Sequence, residues 1–91
     1  MTERFRIEYR PSVEKDLRPI DIQYRNLIFE RIKRLSLAPV EKGCLKIDAK
    51  KDRYRVRIGV YRIIYRVNFQ DHMILIEVIR HRKDAYRGKI K

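Results

Sequence analysis

The sequence predicts an α+β fold in which two N-terminal helices pack on one face of a mostly antiparallel four-stranded sheet. The order of hydrophobic patterns supports this class, because one strand-like segment is followed by two helical segments and then by three strand-like segments. Residues 53–67 largely alternate apolar and basic side chains, which is typical of strands with one buried and one wet face. A chain of 91 residues is expected to form a single domain spanning residues 1–91.

The N-terminal part predicts one strand and two helices. Residues 5–9 alternate in the manner of a strand. Ser12 can cap a short helix over residues 13–17, and Asp21 can cap a longer helix that runs to about Ser36. Apolar side chains spaced three and four residues apart predict the buried face of the longer helix: Tyr24, Leu27, Ile28, Ile32 and Leu35.

The rest of the chain predicts a loop and a hairpin. Residues 40–52 are expected to be a loop in which Leu45 and Ile47 make a short pairing or fill the edge of the core. The basic alternation then divides into strands at residues 53–58 and 61–67. The alternation places these arginines on the face opposite the apolar side chains: Arg53, Arg55, Arg57, Arg62 and Arg66.

A last strand is predicted over residues 73–80, after a turn rich in polar residues. Ile76 and Val78 are expected on one face, and Ile79 on the other. Because this strand is apolar on both faces, it is predicted to be central in the sheet. The face of the sheet away from the helices is then expected to be concave and basic.

The charge of the chain favours a polyanionic partner. The net charge is +12, and residues 53–91 carry 11 Lys/Arg against 3 Asp/Glu, whereas residues 1–52 carry 13 against 9. The second half is therefore predicted to face a nucleic acid. The alternative is a merely solubilising basic surface, although solubility needs a net charge of only about 2–8.

Several classes of site are disfavoured by what the sequence lacks. Cys44 is the only cysteine, which excludes an internal disulfide and a cysteine-based zinc site. His72 and His81 are not spaced as a helical metal pair, and the sequence contains no glycine-rich phosphate loop. We therefore expect neither a metal nor a cofactor. The sequence also has no apolar run of the ~20 residues that cross a bilayer, which predicts a cytoplasmic protein.

Arginine, lysine, histidine and tyrosine can cleave RNA without a metal. The 2′-hydroxyl of the RNA attacks the adjacent phosphate, and the protein orients the backbone, neutralises the phosphorane and moves two protons. Arginine side chains are suited to neutralising the negative charge of the phosphorane. His81 can carry part of the proton transfer because its unperturbed pKa lies near neutrality. Tyr86 can assist or stack on a base.

Four segments carry a resemblance to a known family: residues 45–46, 54–59, 61–65 and 81–86. In this order they resemble the RelE/ParE toxin superfamily, and most of all the RelE-type mRNA interferases of toxin–antitoxin systems. The resemblance implies the RelE-like microbial RNase fold and an endoribonuclease that cuts mRNA in the ribosomal A site and so inhibits translation. It also implies a RelB-like antitoxin in a hetero-oligomeric complex, with a partly disordered segment that adds a strand to a sheet edge or lays a helix over the basic face.

The resemblance also implies roles for individual residues. The catalytic group that it implies consists of Arg62, His81, Arg82 and Tyr86. The expected RNA-binding group consists of Lys46, Arg53, Arg55, Arg57 and Arg80.

This chain departs from the family pattern at two places. Arg55 and Arg57 stand where the best-studied form has lysines, one of which is thought to be the general base. Arginine is a poor base because its pKa exceeds about 12, so the base duty is expected to shift to His81, or the reaction relies on positioning. Arg80 stands where this branch usually has glycine, and it adds charge near the site.

Two other functions remain open at this point. A ParE-like toxin on the same fold would poison DNA gyrase and cleave no RNA, and fold alone does not separate the two activities. A non-catalytic RNA-binding module, or an inactive relic toxin, would bind RNA in a salt-sensitive manner without cutting it.

Overall fold

A computed structural model describes residues 4–83 of the protein. These residues form five strands, two α-helices and one short 3-10 helix at Ala49–Lys51. The strands and α-helices are, in chain order, β1 (Arg6–Tyr9), α1 (Ser12–Leu17), α2 (Ile22–Leu37), β2 (Cys44–Asp48), β3 (Arg53–Ile58), β4 (Tyr61–Asn68) and β5 (Met73–His81).

The strands form one mixed sheet in the order β1-β5-β4-β3-β2. The pairs β2–β3, β3–β4 and β4–β5 are antiparallel, whereas β1 lies parallel to β5. The predicted α+β architecture with two helices on a sheet is confirmed, and β5 is interior as expected. The prediction of four strands was wrong, because the sheet has five.

The missed strand is β2, which the sequence analysis treated as loop. It is an edge strand that pairs only with β3 in the described part of the chain. Leu45 and Ile47 remain 55% and 44% exposed, so no alternation between buried and exposed side chains marks the segment. A short edge strand that buries little leaves a weak periodic signal.

The core lies between the helices and one face of the sheet. Ile28, Ile32 and Leu35 of α2 are almost fully buried there. Tyr65 is also fully buried, and its hydroxyl donates a hydrogen bond to the Pro39 carbonyl at 2.7 Å. Burial raises the pKa of this phenol, so it stays neutral and serves the core. Within residues 4–83, neither helix is long and apolar enough to cross a membrane.

The prediction that Leu27 lies on the buried face of α2 was wrong. Leu27 is 54% exposed, and Arg31 is buried in its place. The Arg31 guanidinium lies 3.8 Å from the Glu41 carboxylate and donates to the Cys44 sulfur at 3.7 Å. The spacing alone did not reveal that an arginine would turn inward, because its partners belong to the loop and to β2.

A bulge in β5 changes which side chains face the core. Ile64 of β4 pairs with Val78, but the next residue, Tyr65, pairs with Ile76, so Glu77 is the extra residue. Ile79 is consequently buried at 3% exposure, and Val78 lies with Ile64 on the other face. The expected faces of Val78 and Ile79 were therefore wrong, because one inserted residue reverses the alternation.

Candidate nucleic-acid interface

The face of the sheet away from the helices, which we call the outer face, carries a row of three arginines. Arg57 of β3 pairs with Arg62 of β4, and Arg62 pairs with Arg80 of β5. Side chains paired in this way lie about 4.5–5.5 Å apart at their Cβ atoms, where like charges repel. This arginine row (Arg57, Arg62 and Arg80) therefore gathers positive charge at an energetic cost, which an anionic ligand would offset.

Arg55 lies on the outer face one step further along β3. It pairs with Leu45 on one side and with Ile64 on the other. A groove of about 610 Å³ runs beside it and continues towards the start of β2. The basic residues lining this groove are Arg31, Arg34, Lys42, Arg55 and Arg57. Cationic side chains thus continue from the arginine row to the β2 edge.

Arg53 lies at the opposite end of the outer face and is engaged by a carboxylate. Its Nε lies 2.9 Å from Oε1 of Glu77, whose side chain is only 3% exposed. Arg10 donates to Oε2 of the same carboxylate at 2.8 Å, and Arg66 lies 3.9 Å from it. We call these four residues the Glu77 cluster. Arg53 is thus held in a fixed ion pair, apart from the arginine row.

His81 does not share the face of the arginine row. It pairs with Tyr61, and the two rings lie 5.3 Å apart at their centroids, edge to face. Tyr61 in turn contacts Tyr24 of α2 at 5.2 Å, so this stack belongs to the helix side. Nδ1 of His81 accepts a hydrogen bond from the Lys83 backbone N–H at 3.1 Å. In the neutral ring this bond leaves the proton on Nε2, which is then a donor and not a base.

Lys46 also lies on the helix side of the sheet. It pairs with the buried Tyr54, and its ammonium lies 5.6 Å from the centroid of that ring. The ammonium is 3.3 Å from the Asp52 carboxylate, and the hydrogen bond between them raises the pKa of Lys46. The structure therefore does not bring Lys46 together with the outer-face arginines.

Arg82, a predicted catalytic residue, lies near the end of the described chain. The Arg82 backbone N–H donates to the Val60 carbonyl at 2.7 Å, which ties the residue after β5 to the turn between β3 and β4. Because Val60 is two positions before Arg62, this bond keeps Arg82 near one end of the arginine row. Tyr86 lies outside the described residues.

Three residues of the Glu77 cluster were not predicted as part of the site: Arg10, Arg66 and Glu77. Glu77 gave a signal, because a lone carboxylate within an apolar strand needs a buried partner. Arg66 followed the alternation but was not assigned to the site. Nothing in the sequence pairs Arg10 with a strand 67 positions away.

Comparison with known proteins identifies the family. Residues 7–86 match the ParE toxin of the type II toxin–antitoxin system parDE. The chain is 34% identical over 90 residues to the putative toxin RelE1 of Methanocaldococcus jannaschii, which covers 93% of this chain and 98% of that relative. The chain therefore belongs to the RelE/ParE superfamily of type II toxin–antitoxin toxins.

Solved structures agree with this assignment. The archaeal RelE–RelB complex from Pyrococcus horikoshii is 30% identical, with a TM-score of 0.76 over 90% of this chain and 97% of that one. The RelB–RelE antitoxin–toxin complex from Methanococcus jannaschii is 25% identical, with a TM-score of 0.72 over 88% of this chain and 95% of that one. The likeness thus extends over nearly the whole domain.

Proposed function

We propose that this toxin is a metal-independent endoribonuclease that cleaves mRNA in the ribosomal A site of the cytoplasm and thereby inhibits translation. The observation that carries the proposal is the arginine row, in which arginines from three neighbouring strands pair side by side on one face of the sheet. A planar guanidinium can bind a phosphate through two parallel hydrogen bonds. Three of them on one rigid sheet form a preorganised site for a nucleotide backbone.

The proposed reaction needs little from the protein beyond position and charge. The 2′-hydroxyl passes its proton to a water molecule and its oxygen bonds to phosphorus, the bond from phosphorus to the 5′-oxygen breaks, and that oxygen takes up a proton from water. The products are a 2′,3′-cyclic phosphate and a 5′-hydroxyl. The arginine row stabilises the extra negative charge of the phosphorane.

His81 lies on the helix side of the sheet, opposite the arginine row, so it is not proposed to exchange a proton with the phosphate bound there. The proton of the 2′-hydroxyl is proposed to pass to water, and the 5′-oxygen is proposed to take its proton from water. Tyr86 and Arg82 are proposed to complete the site, in keeping with the family resemblance. Arg53, Arg55 and Lys46 are proposed to contact RNA beyond the scissile phosphate.

A RelB-like antitoxin is the proposed partner in a hetero-oligomeric complex. The solved relatives from Pyrococcus horikoshii and Methanococcus jannaschii are complexes of RelE with RelB. In this chain β2 forms one edge of the sheet and exposes Leu45 and Ile47, which suits strand addition by a partly disordered acidic segment. Co-expression with the adjacent open reading frame tests this, since the product must co-purify with the toxin.

Cleavage of ribosome-bound mRNA tests the proposed activity. Wild-type toxin is added to a cell-free translation reaction, and primer extension maps breaks in the message. We expect breaks with the wild type and almost none with Arg62→Ala. Arg18→Ala, an exposed arginine after α1, is the matched control and is expected to cut normally. Intact message with folded wild-type toxin would contradict the proposal.

A second candidate function is a ParE-like gyrase poison, which is favoured by the match to the ParE toxin of the parDE system. It predicts DNA breaks that depend on gyrase and supercoiling, and no breaks in mRNA. A non-catalytic RNA-binding toxin predicts salt-sensitive RNA binding without cleavage products. The same protein preparation can be assayed for all three outcomes.

A further inference from the structure

We propose that a groove at the Asn68 end of the outer face is a second nucleotide-binding subsite for the mRNA beside the cleaved codon, an inference that rests on the proposed function. The groove has a volume of about 540 Å³ and lies near the 3-10 helix, where β4 ends and β3 and β5 begin. Its lining includes Lys50, Lys51, Arg66, Phe69 and Leu75, together with Asp52, whose carboxylate is already paired with Lys46 at 3.3 Å. It thus joins cations to apolar surface, the combination that single-stranded nucleic acid needs.

The phosphate-binding part of this subsite is held in place by the Glu77 cluster. Glu77 is buried and contacts guanidiniums from three directions, with Arg10 and Arg53 at 2.8 and 2.9 Å. Arg66, at 3.9 Å from the carboxylate, also lines the groove. A guanidinium carries five N–H donors, so one carboxylate contact leaves others for a phosphate. Of these three arginines it is Arg66 that lines the groove, so the buried carboxylate attracts its guanidinium to that position before any ligand arrives.

The base-binding part is provided by Phe69. Its ring lines the groove, yet the residue is 47% exposed. Phe5 packs against it edge to face, at 6.1 Å between ring centroids and 88° between planes. This contact fixes one edge of the ring, and a base can stack on such a surface whatever its identity.

The groove lies close enough to the arginine row for one RNA strand to contact both. Arg62 and Arg66 point to the outer face four residues apart on β4, about 13 Å at roughly 3.3 Å per residue. An RNA strand crossing that face could therefore occupy both sites. An acidic protein segment would use the cations but has no need of an exposed ring beside them, which favours RNA.

RNA-binding measurements with the full-length toxin test the subsite. A fluorescently labelled single-stranded RNA is titrated with each variant at several salt concentrations. We expect Phe69→Ala to bind roughly tenfold more weakly with an unchanged salt slope, because it removes stacking and no phosphate contact. We expect Arg66→Gln to reduce the slope of log K against log salt by about 0.7, the value for one lost phosphate contact on a single strand.

Matched controls distinguish these effects from general damage. Phe29→Ala removes a similarly exposed phenylalanine from α2, and Arg18→Gln removes a positive charge distant from the groove. Both are expected to bind like the wild type, and thermal unfolding verifies that every variant is folded. Equal effects of Phe69→Ala and Phe29→Ala would overturn the subsite.

The remaining outcomes separate the subsite from the proposed function. Failure of the wild type to bind RNA would overturn the subsite, and the nuclease proposal would then be decided by cleavage of ribosome-bound mRNA. Normal RNA binding by Phe69→Ala and Arg66→Gln would overturn the subsite alone, and the nuclease proposal would still be decided by cleavage. If the two variants weakened binding of poly-glutamate but not of RNA, the groove would belong to an acidic protein, and the RNA assignment would be wrong.

Discussion

Glu77 shows how one residue can organise a charged surface. Its carboxylate is 3% exposed and contacts Arg10, Arg53 and Arg66. A buried charge is costly unless it is paired, and removing the partner of a buried pair leaves an uncompensated charge. The Glu77 cluster therefore stabilises the fold only while the carboxylate and its arginine partners are all present.

Glu77→Gln is expected to lower the free energy of unfolding by about 1.5–3 kcal/mol, the usual worth of a hydrogen bond to a charged group, because the partly exposed arginines left behind stay solvated. The control is Glu8→Gln, because Glu8 pairs with Arg6 at 3.2 Å but is 51% exposed, and such pairs contribute only about 0–1 kcal/mol. Urea denaturation of both variants measures the difference. Similar losses in the two variants would mean that the Glu77 cluster is not a stabilising element.

The strands show which parts of the site could be predicted. Alternation placed Arg53, Arg55, Arg57 and Arg62 on one face, and the two-residue turn at 59–60 sets the register of Arg57 with Arg62. The pairing of Arg62 with Arg80 could not be predicted, because a longer turn and a bulge separate β4 from β5.

Two other features depend on partners distant in sequence. The parallel pairing of β1 with β5 joins residues more than 60 positions apart, and no local pattern encodes it. The family resemblance implied that His81 lies beside the arginines. Neighbouring residues of a strand point to opposite faces, and this separates His81 from Arg80.

The turn between β3 and β4 depends on glycine for two reasons. Gly59 has a φ of +57°, and a Cβ built there would lie 3.0 Å from the ring of Tyr24. Tyr24 is the helix-side contact of the Tyr61–His81 stack. An alanine at position 59 must therefore adopt a left-handed conformation and also displace that ring.

Gly59→Ala is expected to destabilise the toxin by more than the ~1–2 kcal/mol that the left-handed conformation alone costs. Chemical denaturation of Gly59→Ala and the wild type measures the loss. A loss no larger than that of the left-handed conformation alone would mean that the Cβ meets no resistance from the Tyr24 ring, and would contradict this view of the turn.

At the scale of the whole molecule, positive charge is the dominant feature. The chain carries a net charge of +12, and the fold has principal extents of 38 × 29 × 25 Å. At ~0.01 M salt the Debye length is about 30 Å, so most of these charges repel one another, whereas at ~0.15 M it is about 8 Å. Self-repulsion of this kind lowers the stability of the compact state.

The melting temperature of the isolated toxin is therefore expected to rise when sodium chloride is increased from ~0.01 M to ~0.15 M, because screening weakens the repulsion. Thermal unfolding followed by circular dichroism measures it. A melting temperature that falls with added salt would show that attractive ion pairs, such as those of Glu77, outweigh the repulsion across the arginine row.

The measurement that tests the account most directly is the single-turnover rate of cleavage of ribosome-bound mRNA, with the toxin in saturating excess. Loss of one preorganised donor to a transition-state charge typically lowers the rate by about 10²–10³, and we expect this for Arg62→Ala, with Arg18→Ala unchanged. Affinity for the programmed ribosome is expected to change far less. An Arg62→Ala toxin that binds weakly but, once saturating, cuts at the wild-type rate would contradict the account, because the arginine row would then only bind the message.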